Sequence, residues 1–178
     1  MKYIPNVFTF LNLSLGLSAI LLLIQSQHPQ KLFFVTACIL LGGAADFFDG
    51  YFSRRLNANT ELGKQLDSFA DITTFGIAPL AFINYLSPRE YSFLLALSSL
   101  VFLLAGAYRL ARYNLAAFEK HFIGIPITIA GMILALYNAL HPHWATQFPA
   151  GACLAITIPL LLGLSILMVS RKRFKRIM

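Results

Sequence analysis

Asp46, Asp49, Asp67 and Asp71 are four of the seven acidic residues in this chain, and all four lie within or just beside long apolar segments. A carboxylate at membrane depth is costly, so it is seldom placed there without a partner or a task. The spacing sharpens the point. Asp46 and Asp49 are i,i+3 and Asp67 and Asp71 are i,i+4, so each pair shares one helix face. Two such pairs facing each other form a cage of hard oxygen ligands suited to Mg2+, Mn2+ or Ca2+.

The elements that must carry these residues are membrane helices. Of 178 residues, 58% are hydrophobic and only 12% charged, with a mean hydropathy of +0.70. A soluble domain carries roughly twice that charged fraction. Six apolar stretches, at about 4–25, 31–53, 65–86, 91–112, 122–140 and 149–170, are each long enough to cross a bilayer as a helix. The expectation is an all-α integral membrane protein, a six-transmembrane-helix bundle forming a single domain over 1–178. The first stretch has no small-residue cleavage site and carries polar residues, so it reads as a span and not as a removed signal.

Charge gives the orientation. With the N-terminus in the cytoplasm, Lys2, Arg54, Arg55, Lys64, Arg109, Arg112, Lys120 and the five basic residues of the tail fall on one side. Lys31 and Arg89 alone fall on the other. This bias places both termini and the aspartates on the cytoplasmic side of the cell membrane. The net charge of +7 is therefore a membrane signature and implies no nucleic-acid partner. The tail 171–176 fits contact with anionic headgroups or a plain stop-transfer anchor. Cys38 and Cys153 form no motif and read as small hydrophobes.

Most connections are short, at 26–30, 87–90, 118–121 and 141–148, as in an up-and-down bundle. The exception is the polar link 54–64, which makes the two Asp pairs face each other across one hairpin. Gly42-Gly43-Ala44-Ala45 lies one turn before Asp46, where small residues admit a close neighbour. The four histidines, His28, His121, His141 and His143, sit in connections and share no ligand spacing. Tyr137 and Trp144 read as interfacial anchors.

Written out, the hairpin is Asp46-x2-Asp49-Gly50-x2-Ser53-Arg54-x8-Gly63-x3-Asp67-x3-Asp71. It resembles the signature of the CDP-alcohol phosphotransferase family, D-x2-D-G-x2-A-R-x8-G-x3-D-x3-D, and departs from it only at Ser53, where the family usually has Ala. Further segments are similar to the serine-using branch of that family. They are Ile4-Pro5-Asn6-x2-Thr9-x2-Asn12, Leu66-Asp67-Ser68-x-Ala70-Asp71, Phe75-Gly76-x-Ala78-Pro79 and Arg109-Leu110-Ala111-Arg112-Tyr113-Asn114. Phe122-x-Gly124-x-Pro126 also resembles it, with Thr128 where members often have a second Pro. The likeness covers about 1–130.

The resemblance implies a six-helix fold of that family's type, a homodimer, and transfer of a phosphatidyl group from CDP-diacylglycerol to the hydroxyl of L-serine with release of CMP. It implies two divalent metal ions, Mg2+ or Mn2+ with Ca2+ also compatible, which can clamp the attacking and leaving oxygens of a diphosphate. Asp46, Asp49 and Asp67 would be metal ligands, and Asp71 a ligand, the general base, or both; Asp71 is the expected base. Arg54, with a forked permanent cation, and Gly50, with no Cβ, would receive the nucleotide end. Gly63 and Thr60 in the hairpin, and Pro5, Asn6 and Thr9 at the first helix start, complete the expected CDP-diacylglycerol site. Pro5 and Asn6 are equally ordinary helix-start residues.

Arg109 and Arg112, i,i+3 on the fourth helix, would grip the serine carboxylate or a lipid phosphate, or else snorkel to the boundary. Asn114 would hold the amine or cap the helix. A sister enzyme using glycerol 3-phosphate or inositol phosphate, or an archaeal ether-lipid donor, is the nearest alternative. A small ion-coupled transporter also needs buried carboxylates, but commonly carries an internal repeat, and none is visible.

Overall fold

The computed structural model describes residues 4–25, 30–55, 60–87, 92–115, 124–145 and 150–170. Lys2, His28, Arg89, Lys120, His121, Phe122 and the basic tail lie outside the described residues, as does the side chain of Trp144.

Without water to pair with backbone groups, an apolar chain in lipid must close its hydrogen bonds within each segment, and helix is the result. Six helices carry the described residues: α1 (Ile4–Gln25), α2 (Lys31–Arg55), α3 (Glu61–Leu86), α4 (Ser92–Leu115), α5 (Ile127–Ala145) and α6 (Ala150–Val169). Stretches Asn6–Gln25, Lys31–Arg55, Glu61–Leu86 and Phe93–Leu115 are each long and apolar enough to cross a membrane. The surface agrees: Val7, Phe10, Leu17, Leu21 and Ile24 on α1, and Phe33, Leu41 and Phe48 on α2, point outward. In water such a surface would be an association liability; in a bilayer it is the correct solvent contact. The chain is an all-α, multi-pass membrane protein.

α1 runs along α2 as the most extensive pair, and α3 packs on α1. α5 covers α2 and the second half of α3, while α4 pairs with α6. Phe75, Phe82, Phe102, Leu134 and Leu161 are fully buried at these junctions.

Three boundaries differ from the apolar runs. α3 begins at Glu61, not near 65, because Thr60 caps it by accepting from Gly63 N–H at 3.0 Å, so a charged first turn joins the apolar span. α5 begins at Ile127, not 122: Gly124 has a φ of 81°, a conformation that favours glycine, and Ile125 N–H donates to Leu167 O at 3.2 Å. Its other end runs through Pro142 to Ala145, so 141–145 is helix and not connection. His141 is buried there, edge-on to Tyr137, which corrects its placement in a connection. Tyr137 is likewise no interfacial anchor, since its hydroxyl pairs with Thr157 Oγ1 of α6 at 2.7 Å.

α3 is not uniform. Residues Ile72–Ile77 form a π-helical turn, with Ala78 N–H donating to Thr73 O, an i→i−5 register. Pro79 follows at once; it has no amide hydrogen, and its ring crowds the carbonyl one turn back. The wider turn accommodates it. Asn138 of α5 donates to Pro79 O at 2.9 Å, supporting α3 at this point. α5 comes close here because Gly131 lies on the Phe75 backbone, where a Cβ would sit 2.6 Å from Phe75 Cα.

A candidate metal centre and its cavity

α2 ends and α3 begins at the same end of the bundle, and that hairpin brings the aspartates together. One carboxylate oxygen each from Asp46, Asp67 and Asp71 lies within 4.8 Å of the others. Asp71 is buried, and its Oδ1 has no hydrogen-bond partner among the described residues. Carboxylates this close repel one another unless a cation or a proton shares their charge. The donor set is wholly carboxylate oxygen, which fits a hard divalent ion. Asp49 stands apart from this trio, buried and accepting a hydrogen bond from Thr9 Oγ1 of α1.

A cavity of about 440 Å³ opens beside the trio. Asp46, Asp49 and Asp67 line it, with Asn6 and Thr9 from α1. Gly50, Ser53 and Arg54 from α2 form another wall, and Thr60, Gly63 and Lys64 a third. Asp71 does not line it; it lies behind the other carboxylates. Carboxylates on one side and two cations, Arg54 and Lys64, on another make a space whose charges suit a metal-bound diphosphate.

The glycines act as open space. At Gly50 an added Cβ would meet nothing closer than Arg54 Nη2 at 4.0 Å. At Gly63 it would lie 3.0 Å from Thr60 Oγ1 and 3.5 Å from Asn6 Oδ1, crowding the α3 cap and the cavity together. Arg54 folds back, its Nε donating to Gly50 O at 2.8 Å. Pro5 is in the first turn of α1, but its side chain lies outside the described residues.

The α4 residues separate. Arg109 is buried and its Nε has no hydrogen-bond partner among the described residues. The Arg112 guanidinium lies 5.9 Å from the Tyr108 ring centre. Asn114 Nδ2 donates to Ser68 Oγ at 2.8 Å, and Ser68 Oγ in turn donates to Lys64 O at 3.0 Å. Asn114 thus ties α4 to the start of α3 beside Asp67.

Lys64 and Thr128 are among the residues at the site to which the sequence reading assigns no role there. Lys64 lines the cavity, and its spacing to Asp67 and Asp71 (i, i+3, i+7) could have placed it on their face. Thr128 Oγ1 donates to Asp46 Oδ2 at 3.2 Å across 82 residues of chain, and no local spacing announces it.

A family model described as CDP-alcohol phosphatidyltransferase matches residues 2–167. The chain belongs to this family. Among its relatives is the CDP-diacylglycerol--serine O-phosphatidyltransferase of Bacillus subtilis, 37% identical over 98% of this chain and 90% of that protein. The protein of the same name from Methanocaldococcus jannaschii is 34% identical over 89% of this chain and 70% of its own length. The archaetidylserine synthase of Methanothermobacter thermautotrophicus is 28% identical, over 98% and 70%. As a CDP-alcohol phosphatidyltransferase, the chain carries the family signature on the two helices that form the carboxylate trio.

Proposed function

We propose that this CDP-alcohol phosphatidyltransferase makes phosphatidylserine, transferring the phosphatidyl group of CDP-diacylglycerol to the hydroxyl of L-serine and releasing CMP. The observation that carries the chemistry is the Asp46–Asp67–Asp71 trio, with Asp71 buried and the other two lining a cavity that has Arg54 and Lys64 on its wall. The names of the relatives share serine while differing in the lipid, which supports serine as the acceptor.

In this reading the serine oxygen forms a bond to the lipid-proximal phosphorus, and the bond from that phosphorus to the CMP oxygen breaks. Asp71, behind the other carboxylates, takes the hydroxyl proton. Asp46, Asp49 and Asp67, with Asp71, would hold two divalent cations, Mg2+ or Mn2+. When bound, these neutralise the diphosphate and stabilise the attacking and leaving oxygens. Arg54 and Lys64 attract the diphosphate, Gly50 and Gly63 leave it room, and Asn6, Thr9 and Thr60 offer polar contacts along the cavity.

Arg109, buried near Asp71, is the residue for the serine carboxylate; Arg112 stays at the membrane boundary. Both termini and the site face the cytoplasm, the chain acts as a single domain, and the working form is a homodimer, as the family resemblance implies.

The test is an acceptor panel with purified enzyme, CDP-diacylglycerol and Mn2+, reading CMP. Release should depend on L-serine and be absent with glycerol 3-phosphate or inositol phosphate. Release indifferent to serine would remove the acceptor assignment, and no release with any acceptor would remove the reaction. Arg109→Ala should raise the KM for serine more than that for the donor; an equal rise in both would contradict its role toward serine.

A further inference from the structure

Thr128 belongs to none of the elements that carry the family signature. It is the second residue of α5, and its hydroxyl reaches Asp46 Oδ2 on α2 at 3.2 Å. Two independent features fix α5 at this height. Just before its start, Gly124 takes a φ of 81° and Ile125 N–H is tied to Leu167 O near the end of α6. One turn after Thr128, Met132 packs over Gly43, where a Cβ would lie only 2.7 Å from Met132 Sδ. Gly43 precedes Asp46 by one turn on α2, so the close approach at Gly43 delivers Thr128 to the carboxylate.

Thr9 and Thr74 also donate across helices, to Asp49 Oδ2 and Asn12 O, but several other hydroxyls in the bundle stay within their own helix. Those of Thr36, Thr73, Ser98, Thr157 and Ser165 donate to the carbonyl four residues back, which satisfies them inside their own helix. Thr128 instead donates across helices to a carboxylate of the trio. A metal-ligating carboxylate held at one oxygen by an outer donor keeps the other oriented toward the ion, and such donors set metal affinity.

We infer that Thr128 is a positioning residue of the metal centre, holding Asp46 by Oδ2 so that its other oxygen is presented to a divalent cation. The inference rests on the reading of the trio as a metal centre, and it predicts a defect in metal binding that exists before either substrate is added.

The experiment is Mn2+ binding to the purified full-length protein without lipid donor or serine, read by the electron paramagnetic resonance of free Mn2+. Thr128→Val, which keeps the shape and removes the donor, should weaken Mn2+ about tenfold or more. Thr128→Ser should restore affinity close to the starting protein. Thr128→Ala, which removes the same hydroxyl with a smaller side chain, should match Thr128→Val, and thermal unfolding identifies which variants are folded. Unchanged Mn2+ affinity in a folded Val or Ala variant overturns the inference, as does a Ser variant as weak as Val. The reading is separable from the reaction: absent CMP release with every acceptor would defeat the proposed function and leave the Thr128 result standing.

Discussion

An isolated carboxylate in hydrocarbon calls for a cation, and three together call for one more strongly. That requirement sets what each aspartate can do here. Asp46 and Asp49 have one oxygen each engaged by a threonine, Thr128 and Thr9. Asp71 has a buried oxygen with no such partner, and it lies behind the cavity wall. In the proposed reaction it is the base, which requires the serine hydroxyl to reach it past the carboxylates that line the cavity. Asp71→Asn keeps size and removes the charge. We expect it to lower the rate of CMP release about a hundredfold or more, with CDP-diacylglycerol binding retained in a separate binding measurement. Near-normal turnover would show that the base is another group.

At the scale of the helix, close approach without Cβ atoms decides the geometry. Gly131 lies against the Phe75 backbone, inside the π-helical turn that follows Asp71. Gly131→Ala would place a methyl 2.6 Å from Phe75 Cα, and backbone cannot yield as a side-chain tip can. Its expected cost is about 1–3 kcal/mol, the range for an overpacked core, seen as a lower thermal midpoint. Gly163→Ala is the control, because nothing lies within 4 Å of the added carbon; if both variants melted alike, the α3–α5 contact would not be the constraint described.

Much of this level was legible in the chain itself. The i,i+3 and i,i+4 spacings and the polar link between them were enough to put the carboxylates on two facing helices, because those are local signals. The α5 contributions were not legible. Thr128 and Gly131 act through partners 82 and 56 residues away, and periodicity within one helix carries no information about the neighbour it will meet. Tyr137 and His141 were misplaced for the same reason: their polarity suggested the boundary, while α6 supplied Tyr137 with an internal partner.

Across the whole molecule, the charge asymmetry and the site share one end. Arg54, Arg55 and Lys64 lie where α2 ends and α3 begins, and Lys31 lies at the opposite end against the Tyr85 ring, 4.3 Å from its centre. In a Cys38→Ser, Cys153→Ser background, a cysteine introduced at Arg55 should react with a membrane-impermeant maleimide only after the cytoplasmic face is opened. One introduced at Gln30 should react from outside. The reverse pattern would turn the site to the outer face, away from a cytoplasmic supply of serine.

The central claim is that this bundle joins serine to an activated lipid through a metal-dependent carboxylate site. Its most direct test supplies purified protein with CDP-diacylglycerol, Mn2+ and nitrogen-15 L-serine, and follows CMP and the lipid product together by mass spectrometry. Equal amounts of CMP and of a phosphatidyl lipid carrying the labelled nitrogen are expected, both abolished by a chelator and restored by Mn2+ or Mg2+. CMP formed without labelled lipid, or labelled lipid formed in full after the metal is stripped, would contradict it.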